Sequence, residues 1–265
     1  MDRFNLKGKI AIVTGGAGLL GTEHAFALAE KNASVIIIDL NKKKLENLKK
    51  KFKNRGYTID AYIGDITKAK NILKIKKIIL KKFKKIDILI NNAHRDFVPK
   101  KKSKKFHNTV ENYSLKKWDS EIDVGLKGAF ICSKIFGSEM SKKRGGIILN
   151  IASDLSVIAP DQRIYKHLKT NKPISYSVIK HGLIGLTKYL ASYWSSKNIR
   201  VNAISPGGVF NYQEKTFVKK IKKLIPMKRM ANISEYKEAI QFLCSDASSY
   251  MTGHNLIIDG GRSIL

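Results

Sequence analysis

KIAIVTGGAGLLGTEHAFALAE, residues 9–30, decides the fold. Lys9–Thr14 is a short β-branched run with the composition of a buried strand, and Leu20–Lys31 has the length and apolar spacing of a helix. Glycines fill the join between them. They let the backbone turn tightly and approach a pyrophosphate, whose charge the N–H groups at the helix N-terminus would meet. A glycine-rich turn alone is a weak signal, but here the strand precedes it and the helix follows directly. Gly15, Gly18, Leu20 and Gly21 are therefore the candidates to line a dinucleotide phosphate.

The same alternation continues outward. Ser34–Asp39, Thr58–Ile63, Ile86–Ile90, Gly146–Ile151, Arg200–Ser205 and Asn255–Ile258 read as strands. Lys42–Phe52, Ala69–Phe83, Leu115–Met140, Tyr176–Ser196 and Ser234–Cys244 read as helices between them. Strand-helix alternation implies parallel strands with helical crossovers. The expected fold is α/β: a single doubly wound Rossmann-type domain over residues 1–265, with a parallel seven-stranded sheet and helices on both faces. Ligands then bind at the carboxyl ends of the strands. Active-site loops are expected near 93–113, with its basic run Lys100–Lys105, and near 157–174 and 207–230.

Asp39 closes the second strand, eighteen residues past Gly21. An acid there accepts hydrogen bonds from the adenosine ribose and disfavours a 2′-phosphate, which points to NAD. Lys42, Lys43 and Lys44 soften the repulsion, so NADP stays open. The competing structural role for Asp39 is a helix N-cap.

Charge is the unusual bulk property, at +30 with 51 basic residues, of which eight are Arg. Arginine is preferred for phosphates and base edges, and no aromatic residues interleave with the Lys runs as stacking platforms. Lys219, Lys220, Lys222 and Lys223 flank Ile221, Leu224 and Ile225, giving one apolar stripe and a solvated remainder. No specific nucleic-acid surface is expected. Cys132 and Cys244 lie far apart in apolar patterns, which suggests neither a disulfide nor a metal site. No signal-peptide core and no membrane-length apolar run is present, so a cytoplasmic protein is expected.

Tyr176 and Lys180 stand four apart at the start of a helix, hence on one face. A phenol titrates near ~10 in water, and depressing it to neutral pH takes about 4 kcal/mol of interaction, which a nearby ammonium supplies in part. Ser153, ending the fifth strand, can hydrogen-bond a substrate oxygen. Such a Tyr/Lys pair also occurs by chance on many helices, so the combination matters more than any member.

That combination resembles the short-chain dehydrogenases/reductases. It comprises TGGAGLLG at 14–21, Asp39, GDIT around Asp65, NNA at 91–93, Ser153, YSVIK at 176–180, PGGV at 206–209 and DGG at 259–261. The resemblance implies Ser153, Tyr176 and Lys180 as catalytic residues. It also implies Asp65 and Ile66 near the adenine, Asn91 and Ala93 along the ribose path, Lys180 and Tyr176 at the nicotinamide ribose, and Pro206, Gly207 and Val209 near the carboxamide. Relatives of this kind pair their long helices into dimers or tetramers, so a homo-oligomer is expected. YSVIKHGLIGLTKYLASYW is also similar to members associated with surface-polysaccharide or flagellin-glycan biosynthesis.

Three departures stand out. Leu19 occupies the middle glycine of the usual TGxxxGxG, while Gly18 and Gly21 fit TGxxGxxG. DVGLKG places Gly125 where the family has asparagine, which implies an altered proton relay and a kink or close backbone contact in that helix. Ser153 and Tyr176 are 23 residues apart, about ten more than usual. The extra stretch carries Asp161, Arg163, Tyr165, Lys166 and His167. With His94 and Arg95 it suggests cationic groups for an acidic or phosphorylated sugar, or else ordinary surface residues of a Lys-rich chain.

The expected activity is hydride transfer between NAD(H) and a carbonyl or secondary alcohol of a sugar or sugar derivative. The rivals are a cofactor-binding sensor of the same fold, motivated by Leu19 and Gly125, and nucleic-acid binding through the Lys runs.

Overall fold

Each β-branched run of the sequence becomes a strand of one sheet, because such side chains pack well on a pleated surface covered on both sides. A computed structural model describes residues 2–95, 106–143 and 145–265. The Lys100–Lys105 run lies outside them. The strands are β1 (Ile10–Thr14), β2 (Ser34–Asp39), β3 (Ile59–Ile63), β4 (Ile88–Asn91), β5 (Gly146–Ile151), β6 (Ile199–Pro206) and β7 (Asn255–Ile258). Their order is β3-β2-β1-β4-β5-β6-β7, and every pairing is parallel. This is the seven-stranded, Rossmann-like sheet expected from the sequence.

Alternate residues of each strand feed two cores. On one face Val13, Ile37, Ile90 and Leu149 pack with α1 (Leu19–Ala29), α2 (Lys42–Asn54) and α9 (Lys237–Leu243). On the other, Ile12, Ile38, Leu89 and Ile148 meet α3 (Ala69–Phe83), the helical segment 115–142 and α7 (Ile174–Trp194). Cys132 and Cys244 are buried in different cores, and burial pushes each thiol up to about 12. No helix among the described residues is long and apolar enough to cross a membrane.

The expected helix Leu115–Met140 is one rod with two π-helical stretches. It runs as α4 (Leu115–Ile122), π-helix Asp123–Lys127, α5 (Gly128–Cys132), π-helix Ser133–Gly137 and α6 (Ser138–Lys142), with right-handed helical dihedrals at each junction. Helix α7 starts two residues earlier than expected, because Pro173 holds φ at −56° at its N-cap. The expected loop 207–230 needs correction: it contains α8 (Lys215–Lys223), which buries Phe217 and Ile221. The loop 157–174 contains short 3-10 turns at Gln162–Ile164 and Lys166–Leu168. Ile164 and Tyr165 pack there against Phe217, Ile221, Ile225 and Met230, so the stretch braces α8.

The chain runs outward from β1 to β3 and returns on the other side of β1 at β4. The connections therefore part above the β1/β4 boundary, where doubly wound sheets open a crevice.

Candidate active site

At that boundary the glycine turn lies against the tip of β4. Gly15 has φ +61°, and a Cβ there would stand 2.7 Å from the Ala93 Cα. A Cβ on Gly21 would stand 2.7 Å from Asn92 Nδ2 and collide with the Gly15 carbonyl. Gly18 is the N-cap of α1, and no side-chain cap takes up the first N–H groups of the helix there. Leu19, in place of the usual glycine, turns its side chain outward and is 47% exposed. Leu20 packs against the core beneath the turn.

Asn92 fixes this arrangement. Its amide donates to the carbonyls of Thr14 and Gly15, both at 3.0 Å. Thr14 Oγ1 in turn accepts from the Asn92 and Ala93 N–H groups. Sequence reasoning singled out Asn91 and Ala93 of this motif, but not Asn92. The Asn91 side chain points inward, donating to Ser133 Oγ at 2.9 Å and Asn150 Oδ1 at 2.8 Å.

Asp39 ends β2 beside the turn. Its carboxylate accepts from Ala17 N at 3.2 Å and Asn41 N at 3.0 Å. The N-cap of α2 is Asn41, not Asp39. Asp65 holds its own turn by accepting from the Thr67 N–H and hydroxyl, while Ile66 is buried against the long rod at Gly128. Beyond β6, a Cβ on Gly207 would stand 2.7 Å from Asp259 Cα, and Val209 pairs with Ala231. Pro206 closes the strand beside them.

Lys180, one turn after Tyr176, is buried and donates from Nζ to the Ile151 carbonyl at 2.8 Å. Ile151 lies two residues before Ser153, whose following 3-10 turn, Asp154–Ser156, packs against α7. The Ser153 hydroxyl donates to Asp154 Oδ1 at 2.8 Å, and Arg262 holds the other carboxylate oxygen at 2.7 Å. Ser153, Tyr176 and Lys180 thus belong to one corner, made by the end of β5 and the first turns of α7.

Two lysines and a histidine surround the Tyr176 ring. Lys180 Nζ is 5.6 Å from the ring centroid and Lys172 Nζ is 3.6 Å. His94 meets the ring edge-on at 5.0 Å between centroids. Both nitrogens of His94 are buried and without a hydrogen-bond partner among the described residues. Burial, then Lys180 and Lys172, hold its imidazole well below the ordinary histidine range. His94 is therefore neutral near pH 7, which corrects its expected place among the cations; its burial, the largest cause, is invisible in the sequence. Arg163 is paired with Asp161, and His167 bonds Glu214 at 2.8 Å. Arg95 is exposed and donates to Ser120.

Gly125 sits in the first π-helical stretch. A Cβ there would stand 2.7 Å from Ile179 Cγ2 and 3.3 Å from His94 Nδ1. The close contact expected at this glycine is present.

A family model described as Enoyl-(Acyl carrier protein) reductase matches residues 16–263. The chain belongs to the short-chain dehydrogenase/reductase family. It is 36% identical to an NAD-dependent glycerol dehydrogenase of Listeria innocua, across 98% of this chain and 96% of that protein. It is 33% identical to a D-threitol dehydrogenase of Mycolicibacterium smegmatis, across 98% and 95%. Among solved structures it resembles a gluconate 5-dehydrogenase from Burkholderia cenocepacia in complex with NADP and tartrate. The TM-score there is 0.86 at 26% identity, covering 100% of this chain and 98% of that one.

Proposed function

We propose that this chain is an NAD-dependent dehydrogenase acting on a secondary alcohol or carbonyl of a sugar alcohol or sugar acid. One observation carries the reading: Lys180 is anchored to the strand end that bears Ser153 and sits a helical turn from Tyr176. The glycine turn fits a dinucleotide, since Gly15 and Gly21 let it pack tightly on Ala93 and Asn92 at the tip of β4 and Gly18 opens α1 without a side-chain cap. Gly15, Gly18 and Gly21 would hold the pyrophosphate of NAD, Asp39 the ribose, and Lys180 the second ribose. Bound NAD supplies a hydride-accepting carbon. In oxidation Tyr176, as phenolate, takes the proton of the substrate hydroxyl, and the Ser153 hydroxyl, turning from Asp154 Oδ1, donates to that oxygen. In reduction the same tyrosine returns the proton.

Two features bear on specificity. The Asp39 carboxylate is held by two backbone N–H groups, so its charge stays where a 2′-phosphate would lie, which supports NAD over NADP. The likeness to a gluconate 5-dehydrogenase solved with tartrate supports a substrate that carries an anionic group. The named relatives speak for small polyols and lend no support to the glycan-biosynthesis association. The likeness of α7 and the long rod to pairing helices supports a homo-oligomer: Tyr189 and Tyr193 stack on one exposed face of α7 at 67% and 64% exposure.

Purified protein assayed with NAD and NADP on glycerol, threitol and gluconate tests the reading, and sedimentation of the same preparation reads its assembly. Turnover with NAD is expected, highest on gluconate, and Tyr176→Phe should lose about 100-fold or more in kcat while still binding NADH. NADH binding without turnover on any alcohol, or an undiminished Tyr176→Phe, would favour the sensor instead.

A further inference from the structure

The closing DGG of the sequence, residues 259–261, steers the chain back into the interior. Gly260 and Gly261 hold φ at +68° and +86°, a left-handed pair that residues with a side chain rarely adopt. The Asp259 carboxylate fixes this turn by accepting from the Gly261 and Ser263 N–H groups. Arg262 is thereby buried, and its guanidinium donates to Asp154 Oδ2 at 2.7 Å, at the corner that bears Ser153.

We propose that Asp154 and Arg262 are positioning residues for the reaction: the carboxylate holds the Ser153 hydroxyl ready, and the guanidinium loosens that hold so that the hydroxyl can pass to the substrate oxygen. Ser153 has one hydroxyl proton to give, and it goes to Asp154 Oδ1 at 2.8 Å. A hydrogen bond to a carboxylate is about twice as strong as one to a neutral oxygen, so an uncompensated Asp154 would outcompete a carbonyl or alcohol for that proton. Arg262 draws on the same negative charge and weakens its pull on the serine.

The rest of the corner lets the hydroxyl turn without leaving an orphan. The Leu155 N–H donates to Asp154 Oδ1 at 2.8 Å and to Ser153 Oγ at 3.2 Å. When the proton swings to the substrate, Oδ1 keeps that N–H, Oδ2 keeps Arg262, and Oγ stays where it is. No covalent bond changes in this turn, and the serine keeps its proton. Nor does another cation stand in for the arginine, which makes the only ion pair of Asp154 among the described residues. The Tyr165 and Tyr236 hydroxyls, which feel the Asp154 charge, stay protonated, since burial pushes the first up to about 12 and raises the second as well. Asp161, which feels Arg262, is paired with Arg163.

The inference rests on Ser153 holding the substrate oxygen, and its test works through that serine. Alcohol oxidation with NAD, on the best substrate among glycerol, threitol and gluconate, is measured together with NADH affinity. Arg262→Met should lower kcat about tenfold and leave NADH affinity within about twofold. Added to Ser153→Ala, the same substitution should change kcat by less than about twofold, because no hydroxyl is left to release. Asp154→Asn combined with Arg262→Met should return most of the lost kcat, since a neutral amide grips the hydroxyl less than a carboxylate. Arg262→Gln, which can still donate to Oδ2 but carries no charge, gives the same reading should the Met variant melt early. An undiminished kcat in the Met and Gln variants, or an equal loss with and without Ser153, overturns the inference. If Ser153→Ala lowers turnover and the arginine variants do not, the role of the pair alone is discarded. If Ser153→Ala and Tyr176→Phe are both harmless, the function reading falls with it.

Discussion

A carboxylate buried beside the serine needs a matching charge, and Arg262 supplies it. The side chains of Asp154 and Arg262 are only 4% and 7% exposed, with the guanidinium 2.7 Å from Oδ2. The other oxygen takes the Ser153 hydroxyl and the Leu155 N–H. Removing one partner of such a pair leaves an uncompensated buried charge, so Arg262→Met should cost about 3–5 kcal/mol in denaturant unfolding. A loss below about 1 kcal/mol would mean that water reaches Asp154 in solution. At this scale the sequence pointed to Ser153, Tyr176 and Lys180 through the combined motifs of a family, since a Tyr/Lys pair four residues apart is common on helices. Asn92, Arg262 and the neutrality of His94 were hidden. Each depends on a neighbour far along the chain: Asn92 on Thr14 and Gly15, Arg262 on Asp154, and His94 on Tyr176 and two lysines.

At the scale of elements, the long rod shows how a glycine can be required inside a helix. Alanine at an exposed helical position improves on glycine by ~1 kcal/mol, but the Cβ at 125 would press on Ile179 at 2.7 Å. Overpacking costs ~1–3 kcal/mol, so the contact outweighs the propensity. Gly125→Ala should therefore lower the melting temperature, with a calorimetric scan as the check; an unchanged or raised value would show that Ile179 yields freely. Helix α3 and strands β2, β5 and β7 match their expected bounds to the residue, since their apolar periods are unbroken. The π-helical stretches were not foreseen, because the segment reads as one helix of a single period and each π turn, with its extra residue, shifts that period. The stripe of α8 was visible, yet the segment around it read as an active-site loop. Only the packing of Ile164 and Tyr165 on it reveals a fixed element.

Across the whole molecule, the sheet was legible because parallel strands buried on both faces read as continuous apolar runs. Its pH tolerance was not. His24, on α1, is fully enclosed, and burial pushes it down to about 4, with the Asn92 amide opposing. Its folded value lies below its unfolded one, so between about pH 6.5 and 4 the unfolded chain takes up a proton that the folded chain refuses. Its contribution is whole above that window and is lost as pH falls through it, by roughly 3 kcal/mol in total. Urea melts on either side of the window should show that slope, and His24→Leu should flatten it; a variant with the native slope would place the effect elsewhere, with His94 the next candidate.

The Asp154–Arg262 contact also sets an order of events during synthesis. The phosphate cradle draws on residues 14 to 93, whereas the serine's corner stays electrically unbalanced until residue 262 has left the ribosome. Until then Asp154 lacks its counter-charge, so the corner that holds Ser153 takes its final form only after residue 262 has joined the fold.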